Sequence, residues 1–180
     1  MNYEILLNIN KFISHISYLI SHILKLIFHK MENIFDRAVA EKLISRINTL
    51  TPSTAGQWGK MNVSQMLAHC NVTYEMVYTD KHSKPNAFLK FILKLMVKPI
   101  VTNEKPYKKS SQTAPAFIIT DEREFNYEKN RLIEYINKVV GEGPQAFEGR
   151  TSHSFGPLNS TEWNNMFYKH LDHHLTQFGA

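Results

Sequence analysis

At 180 residues, with 43% hydrophobic and 12% aromatic positions, the chain is long enough for one domain with a real core, which excludes a largely disordered polypeptide. A single cysteine, Cys70, excludes an intrachain disulfide framework and points to a reducing compartment, with the cytoplasm as the expected location. The formal net charge of +5 and pI near 9.2 invite an anionic partner. The lysines gathered between residues 81 and 109 lack the interleaved aromatics of a base-stacking surface, however, so a solvated basic face is expected and a nucleic-acid partner is not.

Residues 1–30 differ in character from the rest of the chain. Their longest apolar stretch, 12–24, is broken by Ser14, His15, Ser17, Ser21 and His22, too polar and too short for a spanning helix. Residues 27–30 offer no small-residue cleavage site for a secretory signal. Three readings remain: an amphipathic helix on a membrane or on the domain, a weak anchor, and an upstream extension of a domain that starts at Met31. The last is preferred, because Met31-Glu32-Asn33-Ile34-Phe35 begins an ordinary amphipathic helix and every residue with chemical content lies beyond it. His15, His22 and His29 recur every seven residues on one stripe and read as a polar seam. Membrane contact, if made, is expected through residues 1–30 alone.

Apolar positions Phe35, Val39, Leu43, Ile44 and Ile47 follow helical spacing until Thr51-Pro52 stops them. After a loop with Gly56, Trp58 and Gly59, Asn62 caps a second helix, Gln65 reaches back as a capping box, and the helix runs to about Tyr78. A lysine-studded apolar stretch over 87–97 ends before Pro99, and 99–115 reads as a long crossover. No alternating strand pattern competes with the helical one, although residues 116–120 could pair briefly as an extended segment. Asp121, with Glu124 three residues on, is expected to start a helix carrying Phe125, Leu132, Ile133, Ile136, Val139 and Val140, stopped at Gly141-Glu142-Gly143-Pro144. The loop 153–158 feeds a last helix capped by Asn159 with Glu162 at its third position. The fold expected is all-α: a four-helix bundle with a long crossover and an extra N-terminal helical segment.

In the last helix, at about 100° per residue, Trp163, Phe167, His174 and Gln177 fall within about 60° of His170. His170 and His174 therefore sit inside the buried stripe, four residues apart, the spacing by which one helix offers two imidazoles to one metal. His69 in the second helix shares its stripe with Met66, Thr73 and Met76 and supplies a third. Burying three unpaired imidazoles is costly, and a shared divalent ion satisfies them together. Three neutral histidines leave coordination positions open, as catalytic sites do, and are compatible with zinc, nickel, iron or manganese. No H-E-x-x-H motif is present, so a protease mechanism is disfavoured. His173 falls at the stripe edge, a weaker ligand candidate or a surface group. His153 precedes a Phe-Gly-Pro turn and its reach to the site is left open. Cys70 is turned about 100° from His69 and reads as a buried hydrophobe. Trp58, Trp163 and Tyr168 read as packing residues. Asp172 points roughly opposite to His174, which leaves the acid–base partner unassigned.

Taken together, Trp58-Gly59-Lys60-Met61-Asn62, Met66-Leu67-Ala68-His69-Cys70, His153-Ser154-Phe155-Gly156, Glu162-Trp163 and the block from His170-Leu171-Asp172-His173-His174 through Gln177-Phe178-Gly179 carry a family pattern. Over about residues 31–180 the chain resembles an uncharacterised bacterial family of the DinB-like superfamily of metalloenzymes. The resemblance implies an up-down-down-up four-helix bundle whose metal ligands fall, by position, on His69, His170 and His174. It also implies a small-molecule substrate, with a low-molecular-weight thiol as co-substrate in better characterised relatives, and a homodimer in related bundles. The His-Ser-Phe loop departs from the more usual His-Pro run. The expected function is a metal-dependent enzyme, hydrolase or thiol transferase. The alternative is a non-catalytic bundle with a structural metal or a ligand-binding site.

Overall fold

The computed structural model describes residues 11–18 and 31–180. Residues 11–18 are helical and exposed, while His22 and His29 of the expected seam lie outside the described residues. Residues 31–180 form one compact unit.

That unit is built from helices whose starts are written in side-chain caps. Helix α1, Arg37–Thr49, opens where the Asp36 carboxylate accepts the Ala38 amide at 2.8 Å, and buries Val39, Leu43 and Ile47 at four-residue intervals. Pro52 disfavours helical backbone at Thr51, and the chain turns out at Leu50. Helix α2, Val63–Tyr78, has the expected capping box: Asn62 Oδ1 accepts the Gln65 amide at 2.8 Å and Gln65 Oε1 accepts the Asn62 amide at 3.1 Å. Two short helices come next, α3 (Ala87–Met96) and α4 (Lys98–Thr102). Helix α5, Phe125–Glu142, starts three residues later than expected. Glu124 is its cap, accepting from the amides of Asn126 and Tyr127, whereas Asp121 pairs with Arg123 at 2.9 Å. Gly143, at φ 71°, ends it in a conformation that a Cβ would oppose. Helix α6, Ser160–Gln177, carries a second capping box on Asn159 and Glu162.

Four long helices share one core, α1 and α2 each packing on both α5 and α6. Leu43, Ile47, Met66, Leu67, Leu132, Ile136, Trp163 and Phe167 are almost wholly removed from water there, each contributing about 1.5–3 kcal/mol. The Tyr74 ring stacks on Tyr135 at 5.5 Å and on Phe167 at 5.1 Å, tying α2, α5 and α6 together. The α2–α5 seam is polar at one place. Buried Glu75 and Glu128 share Arg131, and Lys81 and His82 close on Glu75 at 2.9 and 2.7 Å. The fold is thus mostly helical, as expected. Among the described residues the strand content is one two-residue ladder, β1 (Thr151–Ser152) antiparallel to β2 (Gly156–Pro157).

Three expectations about the middle of the chain are corrected. Residues 116–120 do not pair as a strand: Pro115–Phe117 is a 3-10 turn in which Ile118 donates to the Pro115 carbonyl. Nor is the 81–109 segment simply a solvated basic face, because the outward side of α3 carries Phe88, Leu89, Phe91, Leu95 and Met96. The crossover also begins as the helical α4, with Pro99 in its first turn, where no amide donor is needed. Its last carbonyls are satisfied from α6. Lys169 Nζ donates to Ile100 O at 2.7 Å and Asn103 O at 2.6 Å, and Asn165 Nδ2 donates to Thr102 O at 2.9 Å.

Candidate metal centre

Helix α2 places His69, and α6 places His170 and His174, on faces that meet. The ring centroids lie 4.9 Å (His69–His170), 4.4 Å (His69–His174) and 4.8 Å (His170–His174) apart. One ligand atom from each histidine can be chosen so that all three lie within 4.8 Å of one another. This is a group able to hold a metal ion, and it is the trio singled out by the helical stripes.

Each ring is held from behind through Nδ1. His69 Nδ1–H donates to the Phe117 carbonyl at 2.8 Å, so the neutral ring keeps its lone pair on Nε2. His174 Nδ1–H donates to Gln177 Oε1 at 2.8 Å, and Gln177 Nε2 donates onward to the Trp58 carbonyl at 2.7 Å. That chain runs so close to Gly59, itself at φ 86°, that a Cβ there would stand 2.5 Å from Gln177 Nε2. His170 Nδ1 lies 3.0 Å from Thr73 Oγ1, a hydroxyl that can donate or accept. Metal-bound histidines usually have partners of this kind, which fix the tautomer and aim Nε2.

The front of the site shows an unusual approach. His69 Nε2 and His170 Nε2 are 2.9 Å apart. Two bare lone pairs at that separation repel, so either His170 carries its proton on Nε2 and accepts from Thr73, or a cation stands between the nitrogens. Metal–nitrogen bonds of about 2.0–2.1 Å would put tetrahedral ligand atoms about 3.3 Å apart, so modest ring rotations would let the donor set fit a divalent ion.

His69 and His174 are buried, and His170 is partly so. Burial lowers the basicity of His69, opposed by its bond to Phe117. It lowers His174 to about 3, aided by His69. His170 falls well below the usual imidazole range, again through burial first and then its histidine neighbours. All three are therefore neutral at neutral pH, the protonation state that metal ligation needs.

The other candidates fall into place around this trio. His173 is half-buried beside it, its ring edge-on to Trp58 at 5.9 Å, Tyr107 at 5.6 Å and His174 at 5.0 Å. His153 instead donates to the His82 carbonyl and accepts from Ser154, so both its ring nitrogens are engaged away from the trio. Cys70 is buried against Met66, with its thiol pushed up by burial, and behaves as a small hydrophobe. Asp172 pairs with Arg46 at 2.8 Å, and among the described residues no carboxylate joins the trio as a further ligand.

Trp58 does more than pack. Its carbonyl anchors Gln177, while its ring meets His173 and carries Lys109 Nζ 4.3 Å from its centroid. Sequence reasoning missed Thr73, Gln177 and Phe117 as partners of the three histidines. Thr73 is four residues after His69 and Gln177 three after His174, on the same stripes, a signal available in the sequence. The Phe117 carbonyl, 48 positions from His69, left none.

A family model described as a protein of unknown function, DUF1569, matches residues 30–180, most of the chain and all of the site. The chain belongs to the DUF1569 family. No curated protein and no solved structure matches it. The three histidines of this DUF1569 chain thus lie within the matched region, which carries no assigned activity.

Proposed function

We propose that this DUF1569 chain is a metal-dependent enzyme, a hydrolase or a thiol transferase, built on a DinB-like four-helix bundle over residues 31–180 with residues 1–30 as an extension. Its divalent ion is held by His69, His170 and His174. The observation that carries this reading is the convergence of three neutral imidazoles, each braced at Nδ1, with two Nε2 atoms 2.9 Å apart. A divalent ion there supplies Lewis-acid activation of water or of a small thiol. The chain's own contribution is positional: Phe117, Thr73 and Gln177 hold the ligand rings, and Trp58, Tyr107 and His173 shield one side. Lys109 places a positive charge at that wall, suited to an anionic group on a small substrate. The thiol branch and a cytoplasmic location rest on the family resemblance and on the single cysteine.

Elemental analysis of the full chain without a histidine tag, beside His170→Ala, tests the site. About one ion of zinc, nickel, iron or manganese per chain, lost in the variant, is the expected result. Equal metal content in the two proteins, or none after reconstitution with each of the four ions, rejects it. The deep burial of His69 and His174 favours one second reading, a structural ion. In that case removing the metal lowers the melting temperature, and the loaded protein turns over neither ester nor thiol-transfer substrates.

A further inference from the structure

Helix α3 buries none of its side chains completely. Phe88 is 76% exposed, Met96 67%, Leu95 58% and Phe91 57%. At about 100° per residue, Phe91, Leu95, Phe88, Ile92, Met96 and Leu89 fill one continuous half of the helix. Leu93 and Val97, on the other half, pack on the core. A contiguous bare apolar face of this kind marks a surface that something covers.

Charge selects the occupant. Residues 81–109 hold eight lysines and a single acid, Glu104, which leaves the rest of the chain slightly acidic. Lys81 and Lys98 are already paired with Glu75 and Glu162. Among the described residues no acidic side chain is within ion-pairing distance of Lys84, Lys90, Lys94, Lys105 or Lys108. A second copy meeting this face by two-fold symmetry would bring lysines against lysines. Nucleic acid would satisfy the lysines but leave Phe88, Leu95 and Met96 in water. A lipid surface with anionic headgroups satisfies both, the rings and aliphatic chains entering the interface and the lysines meeting the headgroups. We propose that α3 is an interfacial helix that docks the protein on an anionic membrane surface. This is a role separate from the histidine site and independent of its chemistry.

The test is co-sedimentation of the full chain with phosphatidylcholine vesicles, with and without phosphatidylglycerol. The expected result is binding to the mixed vesicles, weakened by high salt and by omitting the anionic lipid. Phe88→Ser/Phe91→Ser should weaken it by at least about tenfold, and Lys90→Gln/Lys94→Gln by about tenfold. Because Phe88, Phe91 and Lys94 are exposed, circular dichroism of both variants should match wild type, and either variant alone tests the face. The proposal is overturned if neither vesicle is bound, or if both variants bind as wild type does, which would place the contact elsewhere in the chain. It is also overturned if the chain, without lipid, sediments as a dimer that Phe88→Ser/Phe91→Ser dissolves.

Discussion

At the scale of single residues, the histidine trio is made specific less by its own rings than by what stands behind them. A bare imidazole rotates and exchanges tautomers; with Nδ1–H committed to an acceptor, it presents Nε2. Gln177 does this for His174 and is itself fixed by the Trp58 carbonyl. Replacing it with Leu keeps the volume roughly but leaves His174 Nδ1 without an acceptor and the Trp58 carbonyl without a donor. Gln177→Leu should therefore weaken metal affinity by about 10–100-fold, read by competition with a chromophoric chelator, while helicity stays unchanged. An affinity equal to wild type would mean that Gln177 is merely packed. Thr73 serves His170 differently, since its hydroxyl can accept from Nδ1–H when Nε2 ligates and donate to Nδ1 when Nε2 holds the proton.

At the scale of elements, what was legible in the sequence is what local chemistry decides. Asn62 with Gln65, and Asn159 with Glu162, announced two helix starts, because a capping box satisfies amides within three residues and needs no tertiary partner. The stripes of α2 and α6 announced the trio because both helices are buried on the faces their periodicity marks. The start of α5 was misplaced because Asp121 and Glu124 have the same capping chemistry, and the pattern alone does not show that Asp121 pairs with Arg123 and leaves the cap to Glu124. Residues 98–117 were illegible for a different reason: α4 depends on donors from α6, 63 to 69 residues away. Lys169 carries most of that dependence. Lys169→Met would leave the Ile100 and Asn103 carbonyls without their donor, and opening of α4 should become easier by about 1–3 kcal/mol. Hydrogen exchange should show protection falling over 98–104 and holding in α2 and α5. Uniform exchange across all helices, or no change anywhere, would refute this pinning role.

At the scale of the whole unit, acid stability is tied to the buried carboxylate that joins α2 to α5. Burial alone raises the Glu75 carboxyl, but bonds from Lys81, Arg131 and His82 override it and hold the group at about 2, below its ordinary 4.5. The folded state therefore binds this proton less readily than the unfolded chain does, and the stabilisation is present in full above about pH 5. It is lost as pH falls from there through about 2, below which Glu75 is protonated in both states. Glu75→Gln imitates the protonated carboxyl at every pH while leaving Arg131 and Lys81 short of an anion. At pH 7 the variant should be less stable than wild type by roughly 3 kcal/mol, measured by urea unfolding of the full chain. Burial of His69, His170 and His174 in their neutral forms also destabilises the fold in acid, but it acts on both proteins alike and cancels in the comparison. The gap between wild type and Glu75→Gln should thus be widest near neutrality, narrow below about pH 5 and close only as pH falls through about 2. A gap that stays constant over that range would show that Glu75 acts by shape and hydrogen bonding alone, and that its charge does not join the two helices.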